Sequence, residues 1–284
     1  MSYIVDSDLF DDNWSDFSSD VVNACVELVL YGVYIVLFIL AVYTLARRQS
    51  AGKKLLLGYT WTMAVLGTLQ LVLCLVELWI AARFVGVLVK QDVAGNLTSE
   101  PELTRLALLG RSLDAAQLVI FAGNNLTTDS LLLYRCFVIW GSDWRPVVLP
   151  AVLMACTFVA ACVDALVTVP VTLFHVPYIL AALTNLVLVG LIGGRIWWIR
   201  QDARLLAGSE LRKRYDTAIA MVIESGAVYF GVLVLLAIFA TDLSGITCDI
   251  LQSIAMHTVN IAPTLIIVRV GLGQNIQDTG KISP

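Results

Sequence analysis

Seven runs of apolar residues, separated by short polar connections, order this chain. A run crosses a bilayer if it supplies roughly 20 apolar residues for about 30 Å of hydrocarbon. The runs lie near residues 21–45, 55–81, 106–139, 147–169, 178–199, 217–240 and 249–270. They predict an all-α polytopic membrane protein, a bundle of seven transmembrane helices. Residues 1–20 form an acidic tail, 21–272 the membrane domain and 273–284 a second short tail.

Polar residues between the runs give the orientation. Fourteen of the 18 Lys and Arg fall on alternate connections, among them Arg47, Arg48, Lys53, Lys54, Arg145, Arg200, Arg204 and Arg212–Arg214. The opposite set holds only Arg83, Lys90, Arg105 and Arg111. Positive residues stay cytoplasmic, so the N-terminus is expected outside and the C-terminus inside. The sequons at Asn13 and Asn96 both fall on the expected outer side, where glycosylation is possible. A third sequon, at Asn125, lies inside a run and is expected to be inaccessible. No basic segment precedes the first run, so that run is expected to serve as its own insertion signal and not as a cleaved signal peptide.

Composition sharpens the class. The chain has 284 residues, 59% hydrophobic and 14% charged, with a mean hydropathy of +0.85. Soluble domains carry about 25% charged residues, so a soluble α/β enzyme is excluded. The tail before residue 21 is expected to be disordered or only locally ordered. The first outer connection, 84–105, is expected to be the longest on its side. The third inner connection, 200–216, is basic and suits an acidic partner or anionic lipid. Four of the six cysteines lie in or beside runs, as buried thiols do. Cys25 and Cys248 sit near the outer ends of the first and seventh runs and are a possible disulfide if those runs are neighbours.

Candidate chemistry lies within the membrane. A charge at mid-bilayer costs about 2.5–3.5 kcal/mol on insertion scales, so it normally faces the bundle interior. In the third run Asp114, Gln117, Phe121, Asn125 and Thr128 fall within about 80° on a helix. The opposite face carries Ala116, Gly123, Thr127 and Ser130, small enough for close helix approach. Two clusters result. Glu77, Asp114, Gln117, Asp164 and Gln252 form a candidate outer ligand pocket, with Trp79 and His175 nearby. Asp129, Arg135, Glu224 and Asn260 form a candidate inner polar lock. The alternative for both is interhelical glue, worth roughly 0.6 kcal/mol per contact, and Arg135 also suits a headgroup-facing interface residue.

Absences exclude much catalysis. No Lys lies within a run, so a retinal Schiff base has no anchor. Two histidines, His175 and His257, do not supply the three ligands of a catalytic zinc, and no metal or other cofactor is expected. No Gly-x-Ser-x-Gly elbow and no Walker-type loop occurs, so the chain is read as no enzyme. Nothing points to nucleic acid.

Four segments carry a family resemblance. They are Tyr134-Arg135-Cys136-Phe137-Val138-Ile139-Trp140-Gly141, Thr184-Asn185 through Gly194-Arg195-Ile196-Trp197-Trp198, Glu224-Ser225-Gly226-Ala227, and Ile261-Ala262-Pro263 through Val270-Gly271. Together, over about residues 20–275, they resemble a family of seven-span membrane proteins of basidiomycete fungi. That resemblance implies the fold and no ligand or reaction. The likeness to G-protein-coupled receptors is architectural. Topology and Tyr134-Arg135 resemble them, but no Asp-Arg-Tyr triplet occurs, and the seventh run reads Asn260-Ile261-Ala262-Pro263. The expectation is a receptor-like sensor of the plasma membrane for a small molecule or lipid. A carrier or lipid-handling protein using the same polar stripe, and a structural membrane protein without signalling, are the alternatives.

Overall fold

The computed structural model describes residues 7–47, 52–94, 100–166, 176–203, 209–239 and 245–280. They form seven helices: α1 (Ser7–Arg47), α2 (Lys53–Ala94), α3 (Glu100–Ile139), α4 (Arg145–Leu166), α5 (Val176–Ala203), α6 (Ser209–Phe239) and α7 (Gly245–Gly280). Among the described residues six helices are long and apolar enough to cross a membrane. The chain is therefore a helical, multi-pass membrane protein, and its outer surface meets lipid. In α6 the apolar part of the described residues is Gly226–Ile238.

Each helix packs on its neighbours in chain order, and α7 closes the ring against α1. α3 also reaches α5 and α7, so α3 and α7 lie inward. Residues 255–260 of α7 are buried on every side, which only a helix enclosed by others allows. α1 instead buries one stripe, Ala24, Glu27, Tyr34, Ala41 and Leu45. These positions recur at three- and four-residue spacing and share a face. Val29, Val33, Val36 and Ile39 between them are exposed, as suits a lipid-facing surface.

Helix lengths depart from the apolar runs. α1 begins at Ser7, so most of the acidic tail continues the first helix. α2 runs on to Ala94 and α3 starts at Glu100. The expected outer connection of 84–105 therefore shrinks, and 95–99 lie outside the described residues. No Pro or adjacent Gly pair interrupts 82–94, so nothing breaks the hydrogen-bonded ladder there. At about 1.5 Å per residue, helices of 41 and 42 residues exceed a bilayer and stand clear of it. Pro101 falls in the first turn of α3, where its missing N–H costs nothing. The α3–α4 turn is tight. Gly141 and Ser142 take positive φ, the Ser142 amide bonds the Phe137 carbonyl at 3.0 Å, and the Arg145 amide donates to Asp143 Oδ1 at 3.1 Å.

Close helix approach occurs at other glycines than the one expected. A Cβ at Gly123 would meet nothing within 4 Å, whereas one at Gly67 would press on Asn260 of α7, 3.2 Å away. At Gly226 it would overlap the Val189 side chain of α5. The Gly226 carbonyl also accepts a 2.9 Å bond from Asn185 Nδ2. Gly226→Ala is expected to lower α5–α6 stability by about 1–3 kcal/mol through overpacking, read as a lower melting temperature in detergent. Val189→Ala in the same background should recover part of it. Equal melting of Gly226→Ala and wild type would mean a looser seam than the one described.

Candidate functional site

The end of the bundle holding the start of α1 has a cavity of about 260 Å³ between α1, α2 and α3. Asp16, Phe17 and Asp20 of α1, Glu77 and Phe84 of α2, and Leu106 of α3 contribute to its wall. From Glu77 a line of amides leads inward. Gln117 Nε2 of α3 donates to Glu77 Oε2. Gln70 Nε2 of α2 donates to Gln117 Oε1 at 3.1 Å and approaches Met256 Sδ of α7 at 3.0 Å. Asp114 lies within hydrogen-bonding reach of Glu77.

Three of the five candidate pocket residues, Glu77, Asp114 and Gln117, therefore stand together. Asp164 is half-buried on α4, which packs chiefly on α3 and α5, and its Oδ2 has no hydrogen-bond partner among the described residues. Gln252 is half-buried on α7, beside Ser253. Trp79 is exposed, and its ring carries the Arg83 guanidinium at 5.2 Å. His175 lies outside the described residues.

A second polar line follows the α1–α7 seam. Ser253 Oγ donates to Asn23 Oδ1 at 2.5 Å and lies 3.2 Å from Glu27 Oε1. The Cys74 thiol of α2 also hydrogen-bonds Glu27. One turn on, His257 meets the Tyr31 ring edge-on, and Tyr31 bonds Thr68 at 2.8 Å. Glu27, His257 and Asn260 are each 1% exposed. Among the described residues, Glu27 Oε2, both ring nitrogens of His257, both amide atoms of Asn260 and the Tyr34 hydroxyl have no hydrogen-bond partner. Such groups cost about 1–3 kcal/mol each when buried, so this seam is held against a steady cost.

Towards the other end, Asn125 joins α3 to α6. Tyr229 donates to its Oδ1 at 2.7 Å, and its Nδ2 donates to Asp129 Oδ2 at 3.3 Å. Thr128 bonds the Val259 carbonyl at 3.3 Å and ties in α7. A gap of about 20 Å³ among Thr128, Asn185, Gly226, Tyr229 and Pro263 has room for about one water. Asn125 is buried, in line with an inaccessible sequon.

The candidate inner residues divide. Asp129 and Asn260 are buried in the bundle. Glu224 is on the exposed side of α6, where Arg269 of α7 pairs with it at 2.6 Å. Arg135 is half-buried near the end of α3, beside the buried Cys136. Thus α6 and α7 are joined by Arg269, which sequence reasoning did not single out. Cys25 is a free, exposed thiol, and the Cys248 side chain lies outside the described residues. Asn96 and the Asn13 side chain also lie outside them, as do most side chains of the basic 200–216 connection.

Gln70 was missed although a signal existed. Met63, Gly67, Gln70, Cys74 and Glu77 recur at helical spacing, and all but the half-buried Glu77 are buried. That stripe marks the inward face of α2. Glu27 and Tyr34 lie on the matching stripe of α1. Among the described residues no group of three or more metal-binding side chains occurs. No protein-family model, no curated protein and no solved structure matches the chain.

Tyr229→Phe leaves the Asn125 carbonyl oxygen buried without a donor, at a cost of about 1–3 kcal/mol. Thermal unfolding in detergent should show that loss. Asn125→Leu in the same background should recover part of it, because both polar partners are then gone. A Tyr229→Phe protein as stable as wild type would show that the α3–α6 bond carries no stability.

Proposed function

We propose that this protein is a seven-span, receptor-like sensor of the plasma membrane and not an enzyme, with α6 as the sixth span. The start of α1 faces outside and the end of α7 the cytoplasm, because the basic connections favour that orientation. The observation that carries the reading is the unbroken line from cavity-lining Glu77 through Gln117 and Gln70 to Met256. It ends on the most enclosed segment of the bundle.

A small molecule or lipid in the outer cavity competes with Gln117 for Glu77. Gln70 then loses or changes its partner, and α7 feels the change through Met256. Ligand binding shifts a conformational balance only by contacts that differ between two states, and this exchange of amide partners is such a difference. The Arg269–Glu224 pair couples α7 to α6, and the basic connection after α5 offers a surface to an acidic protein partner or anionic lipid. The unpartnered groups of the α1–α7 seam favour the rival reading, in which a carrier moves a polar solute past Glu27, His257 and Asn260.

Spin labels introduced as encoded amino acids at exposed Val138 of α3 and Ile223 of α6 measure the far end of the bundle. Gln70→Leu and Glu77→Gln are expected to shift the population of label distances, and Val148→Leu on the α4 surface to leave it unchanged. An unaltered distribution in both relay variants sinks the sensor reading. For orientation, glycosidase treatment of protein made in a eukaryotic host should sharpen its gel band, and Asn96→Gln combined with Asn13→Gln should abolish that shift.

A further inference from the structure

Near the end of α5, at the end of the bundle where the basic residues gather, Arg195 is seated between two indole rings. The Arg195 guanidinium lies over the Trp140 ring of α3 at 5.0 Å and over the Trp198 ring of α5 at 4.4 Å. Among the described residues it has no hydrogen-bond or ion-pair partner, and its Nε is buried without one. The indole N–H of Trp140 is likewise buried and unpartnered. The seat is rigid, since Leu132, Cys136, Leu188, Ile192 and Ile196 pack the α3–α5 seam beneath it. Trp197 and Trp198 are both half exposed on the flank that faces lipid.

We infer that Arg195, held between Trp140 and Trp198, is a binding seat for the phosphate of an anionic phospholipid headgroup. Stacking fixes the plane of the guanidinium while leaving its terminal nitrogens to donate. A planar fork matches two phosphate oxygens, and Arg is weakly hydrated, so it suits the edge of the hydrocarbon. Tryptophans sit at headgroup depth, which places the seat where a lipid phosphate lies. An aqueous carboxylate ligand has no reason to be drawn there, and the half-exposed indoles supply the apolar flank that acyl chains cover. The seat is separate from the Glu77 cavity, so it stands whether the protein senses or transports.

Native mass spectrometry of the detergent-purified full chain tests this. The protein is titrated with phosphatidylglycerol, phosphatidylcholine and inorganic phosphate in parallel. Wild type is expected to hold one phosphatidylglycerol at least about tenfold more tightly than phosphatidylcholine, whose choline cation neutralises the same phosphate and is repelled by the guanidinium, the size of effect expected of a hydrogen-bonded charge pair. Arg195→Gln removes that preference. Arg195→Lys, which keeps the charge and loses the fork, loses most of it while melting as wild type does. Trp198→Ala weakens it by loosening the stack. Retention of the preference in both Arg195 variants overturns the assignment. Displacement of phosphatidylglycerol by equimolar inorganic phosphate overturns the lipid source and leaves a free-anion site.

Discussion

Hydrocarbon offers no hydrogen bonds, and that single property of the solvent orders the whole bundle. Every polar group carried into the membrane finds a partner in the protein or stands at a cost. Many threonines and serines solve the problem within their own helix. Thr60, Thr127, Thr157, Thr184, Thr258 and Thr264 each bond the carbonyl four residues back. Amides and carboxyls do not reach their own backbone in that way and must be met by another helix. Asn125, Asn185, Gln70, Gln117, Glu27 and Ser253 are met so, and the helices that carry them are drawn inward. This is why α3 and α7 lie within the bundle and the apolar faces of α1, α2 and α4 lie outside.

Packing then decides which polar groups meet. With Gly67 facing Asn260 and Gly226 facing Val189, helices approach closely enough for side chains on different elements to bond. Such contacts gain little free energy singly in a membrane, so they organise more than they stabilise. The chain of Glu77, Gln117, Gln70 and Met256 crosses three helices without a backbone intermediary. Its links are side chains, and Gln70 Nε2 lies within reach of both Gln117 and Met256, while the helices keep their internal ladders. Tyr34, His257, Asn260 and the Oε2 atom of Glu27, which have no hydrogen-bond partner among the described residues, are the complementary feature, a region where rearrangement has groups to satisfy.

Much of the architecture was legible along the chain. Apolar run length marks the spans, because bilayer thickness sets a length that sequence records directly. Glu77, Asp114 and Gln117 were legible as a group, since two lie on one helical stripe and all three lie at a similar distance along their spans. The helix ends were not, because α2 and α3 continue past the apolar runs into residues whose helix propensity, not hydropathy, governs them. The face of α3 rich in small residues suggested close approach, yet Gly123 has open space and the tight approaches sit at Gly67 and Gly226. Size alone does not say which face a neighbour chooses.

The sequence alone determined solvent, class and the number of apolar runs, all of which follow from local composition and length. Partner choice came only with tertiary structure. Glu224 reads as a partner for Arg135 when depth alone is considered, and it pairs with Arg269 because α6 and α7 are adjacent on that face. Arg195 reads as one more basic residue, and becomes a distinct site because α3 and α5 bring two indoles around it. Depth along a helix is written in the chain. Azimuth and neighbour are set by how seven cylinders pack, and hydrogen bonds and cation–π contacts fall off within a few ångströms of the right one.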